Sequence, residues 1–158
     1  MTGKPHILIV EAPYYRAISE ELGAGAVETL EAAGASFERI TVEGAFEIPA
    51  AIAHAAGLFR TGLRHGRSQY DGFLALGCVI RGETTHYDYV CNESARALQD
   101  LAVTHGLAIG FGILTVENEA QAWARARRDK KNKGCDVARA CLGMIDVKRR
   151  FADETNDD

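Results

Sequence analysis

Positive charge is not in excess in this chain: 18 lysines and arginines stand against 22 aspartates and glutamates, a formal net charge of -4 over 158 residues. A net negative protein repels polyanions, so a general nucleic-acid binder is excluded, although the stretch from Arg125 to Lys133 is locally basic. Long hydrophobic runs are missing as well. The opening MTGKPHILIVEAP meets an acid and a proline directly after His6-Ile-Leu-Ile-Val10, too soon for a signal-peptide core or a membrane span. Cysteine is sparse and unpatterned. Cys78, Cys91, Cys135 and Cys141 form no C-x-x-C pair, which excludes a recognisable zinc or redox motif, and no metal is expected. Cys78 lies in an apolar run and Cys141 on an apolar helical stripe, where cysteine acts as a small buried hydrophobe. A reducing compartment, and hence a cytoplasmic protein with no membrane partner, is the expectation.

What is present suits one compact domain over residues 1–158, with about 1–5 and 152–158 as loose ends. Hydrophobic residues make up 47% and charged residues 25%. A chain of this length buries roughly 68–70% of its unfolded surface, enough to fold without disulfides or a structural metal.

Short apolar runs alternate with segments of helical period, which predicts an α/β protein: a three-layer α/β/α domain around a mainly parallel four-stranded sheet. The strands are expected at His6 to Glu11, Phe37 to Val42, Phe73 to Ile80 and Ala108 to Leu114. Phe73 to Ile80 is nearly all apolar and so is expected to be buried on both faces. Ile18, Leu22, Ala26 and Leu30 mark a first helix ended by Gly34. A second helix carries Pro49 in its first turn and runs on to Phe59. The stretch Arg60 to Ser68 reads as an exposed connection. Val90, Ser94, Leu98, Leu101 and His105 mark a third helix, Glu119 to about Arg128 a fourth, and Val137, Cys141, Met144 and Ile145 a fifth. The acidic tail FADETNDD is expected to fray.

In open parallel sheets ligands bind beyond the carboxyl ends of the strands. The segments there are Tyr14-Tyr15, Gly44-Ala45-Phe46-Glu47, Arg81 to His86, and Thr115-Val116-Glu117. In the third of these, Gly82, Thr84 and a following helix N-terminus offer N–H groups, a hydroxyl and a positive dipole end to an anion. His86 stands beside that position and can take and return protons near neutrality. Spacing alone also permits a plainer reading, in which Thr84 or Thr85 caps a helix and His86 is a surface residue. Tyr14 and Tyr15 either stack on a flat heterocycle or cover the edge of the core. Glu47 either accepts hydrogen bonds from a ligand or sits as a favourable charge near a helix N-terminus. The Arg125 to Lys133 run is either a solvated helix end or a source of phosphate-binding guanidinium groups.

Read in order, the pieces GAFEIP, ALGCVIRGETTHYDYV, GFGILTVEN, EAQAWARA and NKG closely resemble the lumazine synthase family from the first strand to the last helix. The resemblance implies a transferase of riboflavin biosynthesis. Such an enzyme condenses 5-amino-6-(D-ribitylamino)uracil with 3,4-dihydroxy-2-butanone 4-phosphate to give 6,7-dimethyl-8-ribityllumazine, with no metal or organic cofactor. It implies that Tyr14, Ala45, Phe46, Glu47, Cys78, Val79, Ile80 and Phe111 line the pyrimidine pocket. Glu83, Thr84 and Arg125 would hold the phosphate, with His86 as proton donor and Lys133 and Asp136 as charged groups nearby. His86 and Arg125 would be the catalytic pair. It further implies a cyclic homopentamer with each site between adjacent subunits.

Two departures stand out. Tyr14-Tyr15 replaces the Phe-Asn common in the family, and Glu83 stands where a small residue is common, leaving its backbone N–H for the phosphate. Charge at Arg127 to Lys133 replaces the glycine- and threonine-bearing turn common in shell-forming members, so a pentamer, or at most a decamer, is expected. Two other readings stay open on the sequence: an archaeal-type riboflavin synthase that dismutates lumazine, and a non-catalytic lumazine- or flavin-binding scaffold.

Overall fold

The structure is a computed structural model that describes residues 3–59 and 68–154. Residues 60–67 of the expected connection and the last four residues of the tail lie outside the described residues. The elements run β1 (His6–Glu11), α1 (Arg16–Ala32), β2 (Ser36–Thr41), a short 3-10 turn (Ala45–Glu47), α2 (Ile48–Ala55), β3 (Gly72–Ile80), α3 (His86–His105), β4 (Ile109–Val116), α4 (Glu119–Ala126) and α5 (Lys133–Glu154). All strand pairings are parallel, in the order β2-β1-β3-β4.

Two buried clusters make the layers. Ile7, Ile9, Leu74 and Leu76 pack with Leu22, Ala26, Ala126, Cys141 and Ile145 of α1, α4 and α5 on one face of the sheet. Leu8, Val10, Phe73 and Ala75 pack with Ile48, Ile52, Val90 and Leu98 of α2 and α3 on the other. The alternation of β1 between the two clusters follows from its period-2 geometry. β3 has seven buried positions before two half-buried ones, as its unbroken apolar sequence predicts for a strand covered on both faces. β2 lies at the edge and is exposed at all but one position, bearing Glu38 and Arg39 on its two opposite faces, charges that discourage pairing with another sheet.

Several boundaries differ from the sequence expectation. The second helix ends at Ala55 rather than Phe59, because Gly57 turns left-handed at φ 76° and closes the helix. The fourth ends at Ala126, where Arg127 becomes extended at ψ 131° and directs its guanidinium to Asp129. β4 continues through Thr115 and Val116, whose partners are Val79 and Ile80, so only Glu117 of that trio lies beyond the strand. All four cysteines are free, with Cys78 and Cys141 buried as expected.

The NKG segment is a packing device in this fold. Asn132 adopts the left-handed region at φ 45°, which asparagine tolerates better than most residues. Gly134 then brings α5 against α1 so closely that a Cβ would strike the Leu22 carbonyl oxygen and lie 2.7 Å from the Ala26 nitrogen. Gly143, by contrast, has nothing within 4 Å of its missing Cβ. Gly134→Ala should therefore lower the unfolding free energy by about 1–3 kcal/mol through forced separation of the helices. Gly143→Ala should raise it by up to about 1 kcal/mol through helix propensity. Urea denaturation of both variants checks the contrast, and equal effects would show that the α1–α5 approach is not constrained.

Candidate active site

The strand order reverses between β1 and β3, since the chain goes from β1 outward to β2 and then returns past β1 to β3. Crevices form at such a switch point because successive crossovers leave on opposite faces of the sheet. A hollow of about 600 Å³ occupies this place, beyond the carboxyl ends of β1 and β3. Ala12, Tyr14 and Tyr15 come from the exit of β1, and Cys78, Val79 and Ile80 from the end of β3. Glu43 to Glu47 come from the turn before α2, and His86 and Val90 from the first turns of α3.

Eight of the sequence-predicted residues thus meet in one hollow: Tyr14, Ala45, Phe46, Glu47, Cys78, Val79, Ile80 and His86. Ala45 is buried and anchors the turn, while Phe46 and Tyr14 present 56% and 77% of their surface. Two large aromatic faces left open at the mouth of an apolar hollow are suited to a flat ring. Tyr14 is held edge-on by Tyr15, ring centroids 5.0 Å apart. Burial pushes the Cys78 thiol up to about 11, so it is a neutral wall of the pocket and not a nucleophile. Tyr15 and Gly44, from the strand-end segments singled out in the sequence, also line the hollow, together with Ala12, Glu43 and Val90, which those segments do not include. Ala12 directly follows the first strand, Glu43 directly precedes the GAFEIP motif, and Val90 lies one helical turn after His86, so their positions are the available signal.

Glu83 and Thr84 do not line the hollow; they lie in the exposed segment that leads into α3. The caps expected of the threonines are absent or weak: Thr85 is the N-cap residue without a side-chain capping bond, and Thr84 Oγ1 accepts from the His86 N–H at 3.4 Å. The N–H groups of Gly82 and Glu83 have no hydrogen-bond partner among the described residues. Free donors at the positive end of a helix running His86–His105 make an anion-attracting corner. The His86 ring is exposed at its rim and makes no hydrogen bond or ion pair among the described residues.

Phe111, Arg125 and Lys133 do not join this hollow within the chain. Phe111 sits on edge strand β4 between Ile109 and Ile113, so it faces the α2–α3 side, yet it is 48% exposed. Arg125 lies on α4 and Lys133 at the start of α5, on the opposite face of the sheet. The basic run is also less free than its composition suggests. Arg127 forks onto Asp129, Arg128 reaches Glu21 and Glu28, and Lys133 pairs with Asp136 at 2.8 Å. Arg125 has no carboxylate partner among the described residues and donates from one nitrogen to the Gln121 carbonyl at 3.0 Å.

A larger hollow of about 720 Å³ opens at the amino ends of β3 and β4. Its cations are engaged: Lys148 donates to the Gly106 carbonyl, and Arg149 reaches Asp71 and the Gly3 carbonyl. Strand polarity and the open aromatic faces therefore favour the carboxyl-end hollow as the site.

Parallel sheet, opposite-face crossovers and a switch-point hollow together define a doubly wound α/β protein with an open hollow at the carboxyl ends of its strands. Residues 4–149 match the family model described as 6,7-dimethyl-8-ribityllumazine synthase. The chain belongs to that family. It is 57% identical to the 6,7-dimethyl-8-ribityllumazine synthase of Bartonella tribocorum over 97% of this chain and 96% of that one. Identity is likewise 57% to the 6,7-dimethyl-8-ribityllumazine synthase 1 of Rhizobium meliloti, covering 94% and 95%, and to the synthase of Agrobacterium fabrum, covering 94% and 97%.

Thiol reactivity offers a direct check on the buried wall of the site. Iodoacetamide at pH 8 should modify the half-buried Cys135 well before Cys78, which is buried and weakly acidic. Peptide mass spectrometry over time reads the order, and early labelling of Cys78 would show the wall to be open.

Proposed function

We propose that the protein condenses 5-amino-6-(D-ribitylamino)uracil with 3,4-dihydroxy-2-butanone 4-phosphate, releasing phosphate and two waters to form 6,7-dimethyl-8-ribityllumazine. The observation that carries this reading is the meeting of open aromatic faces and His86 in one switch-point hollow, with unbonded N–H groups in the segment that leads into the same helix, in a chain of this family. Tyr14 and Phe46 offer stacking surfaces to the pyrimidine, and Glu47 offers a carboxylate to its N–H and ribityl hydroxyl donors. The N–H groups around Gly82 to Thr84 receive the phosphate. The 5-amino group attacks the ketone and an imine forms with loss of water. Phosphate then leaves as its C–O bond breaks and an enol forms. After tautomerisation the ribityl-bearing nitrogen closes on the second carbonyl, and another water departs. Every step relocates a proton beside an anion, which is the work His86 is placed to do. The remaining acceleration comes from holding two substrates in reacting geometry.

The shared-site arrangement is part of the same proposal. Arg125 is half-buried without a carboxylate, Phe111 is an exposed aromatic on an edge strand, and both lie away from the chain's own hollow. In this reading they complete the hollow of a neighbour in a cyclic homopentamer, with Lys133 beside them, and a decamer is the upper limit of assembly. No helix among the described residues is long and apolar enough to cross a membrane. The free thiols support a cytoplasmic location.

Absorbance at the lumazine band tests the activity. His86→Ala should reduce turnover by roughly 10²-fold or less without unfolding the chain, because water can replace the base. An unchanged rate across neutral pH would remove the proton-transfer role, and flavin formation from lumazine alone would indicate a dismutase instead. Chain mixing tests the shared site. Arg125→Ala should cost about 1–3 kcal/mol of phosphate interaction. When His86→Ala and Arg125→Ala chains are unfolded together and reassembled, ~25% of sites in a head-to-tail ring should regain both groups. Activity no higher than the mean of the two variants, in rings shown by native mass spectrometry to be mixed, would exclude sites between subunits.

A further inference from the structure

Beside the anion corner stands a cation that does not line the hollow. Arg81 follows β3 directly, and its backbone N–H donates to the Val116 carbonyl at 2.9 Å, so the residue is fixed across the end of the β3–β4 ladder. Its side chain spans three elements. Nε donates to Glu117 Oε2 at 2.8 Å, just past β4, and Nη1 reaches Asp88 Oδ1 at 3.3 Å, in the first turn of α3. The guanidinium carbon lies 4.2 Å from the centre of the Tyr87 ring, in cation–π range. Glu117 is itself held, since its N–H donates to Gln121 Oε1 at 2.9 Å while the Gln121 N–H donates to the N-cap oxygen of Asn118.

We propose that Arg81 is a positioning residue for the phosphate-bearing substrate, clamping the start of α3 to the end of β4 and masking two carboxylates beside the anion corner. This rests on the activity proposed above and extends it to a residue that touches neither substrate. The geometric half of the argument is the loop itself. Residues 82–85 are exposed, and Gly82 and Glu83 donate to nothing among the described residues. Its only hydrogen bonds among the described residues are local ones to α3, from the His86 N–H to Thr84 Oγ1 and from the Asp88 N–H to the Thr85 carbonyl. Its start is therefore held only through Arg81, which joins the two ends through Asp88 and Tyr87. The electrostatic half is the sign of the neighbours. Asp88 and Glu117 are both half exposed and flank a site that must accept a dianion. Left unpaired they would repel it, whereas one guanidinium held between them removes much of that field. Arginine is required because a lysine ammonium has no planar fork with which to satisfy both acids and cover an aromatic face.

The test compares wild type, Arg81→Gln and Arg81→Lys in steady state, varying each substrate in turn. Arg81→Gln should raise KM for the sugar phosphate about tenfold and leave KM for the pyrimidine within about twofold, with Arg81→Lys between wild type and Gln. The Gln deficit relative to wild type should shrink as salt rises from about 0.01 M to about 1 M, because the exposed acids are then screened. If Arg81→Gln does not fold, Arg81→Lys alone must raise the sugar-phosphate KM by about threefold and spare the pyrimidine KM. Equal rises in both KM values, a deficit indifferent to salt, or no change would each overturn the proposal. Should wild type form no lumazine, the activity assigned above fails separately. The clamp is then judged by calorimetry with inorganic phosphate, whose affinity should fall about tenfold in Arg81→Gln and whose unchanged affinity would exclude it.

Discussion

The pairing of β1 with β3 is the constraint on which the site depends. Five register pairs from Ile7 with Gly72 to Glu11 with Leu76, and the further bond from the Ala12 N–H to the Leu76 carbonyl, lock the two strands side by side. Since β2 occupies the other edge of β1, the crossovers before and after β2 must leave on opposite faces, α1 on one and α2 on the other. Neither helix then covers the carboxyl ends of β1 and β3. The opening between them is a consequence of connectivity; Ala12, Ala45, Cys78 and Val90 form its packed wall, while Tyr14 and Phe46 at its mouth are left exposed.

Charge in this protein is arranged locally. The buried Glu11 carboxylate takes a bidentate pair of bonds from Arg39 at 2.8 and 2.9 Å, tying β1 to the otherwise exposed edge strand. Gly23 of α1 lies over that pair, and a Cβ there would stand 2.8 Å from the Glu11 oxygen. Burial of the Glu11 carboxylate is tolerable because the half-exposed Arg39 meets it with good geometry, and losing Arg39 would leave that charge unpaired under the helix. The same economy governs the basic run, where acids on α1 and within the turn answer Arg127 and Arg128. Arg125 stands apart from them, with a backbone carbonyl and no carboxylate as its partner among the described residues.

Small residues act in two different ways. Gly134 has a structural role, letting α5 approach α1 more closely than any side chain would allow. Gly82 has open space around it, so its presence is not explained by packing within the chain, and its backbone N–H has no partner among the described residues.

The sequence by itself determined the strands, the helices and the class of layers, because burial on two faces leaves an unbroken apolar run at Phe73 to Ile80 and burial on one face leaves the Ile18, Leu22, Ala26, Leu30 stripe. It also marked the segments around Tyr14, Ala45 to Glu47 and His86, whose unusual residues stand at strand ends. It did not distinguish a strand end from its neighbour, as at Thr115 and Val116, because backbone pairing there depends on the partner strand. Nor could it tell that Lys133 and Arg128 would be answered by nearby acids, or that Arg81 would bridge Glu117 and Asp88. Only the tertiary structure decided the order β2-β1-β3-β4, and with it which strand-end residues share a hollow and which are turned away. The physical reason is that periodicity records whether a face is buried, whereas strand order and ion pairing are set by contacts between residues distant in the chain, for which a local pattern carries no signal.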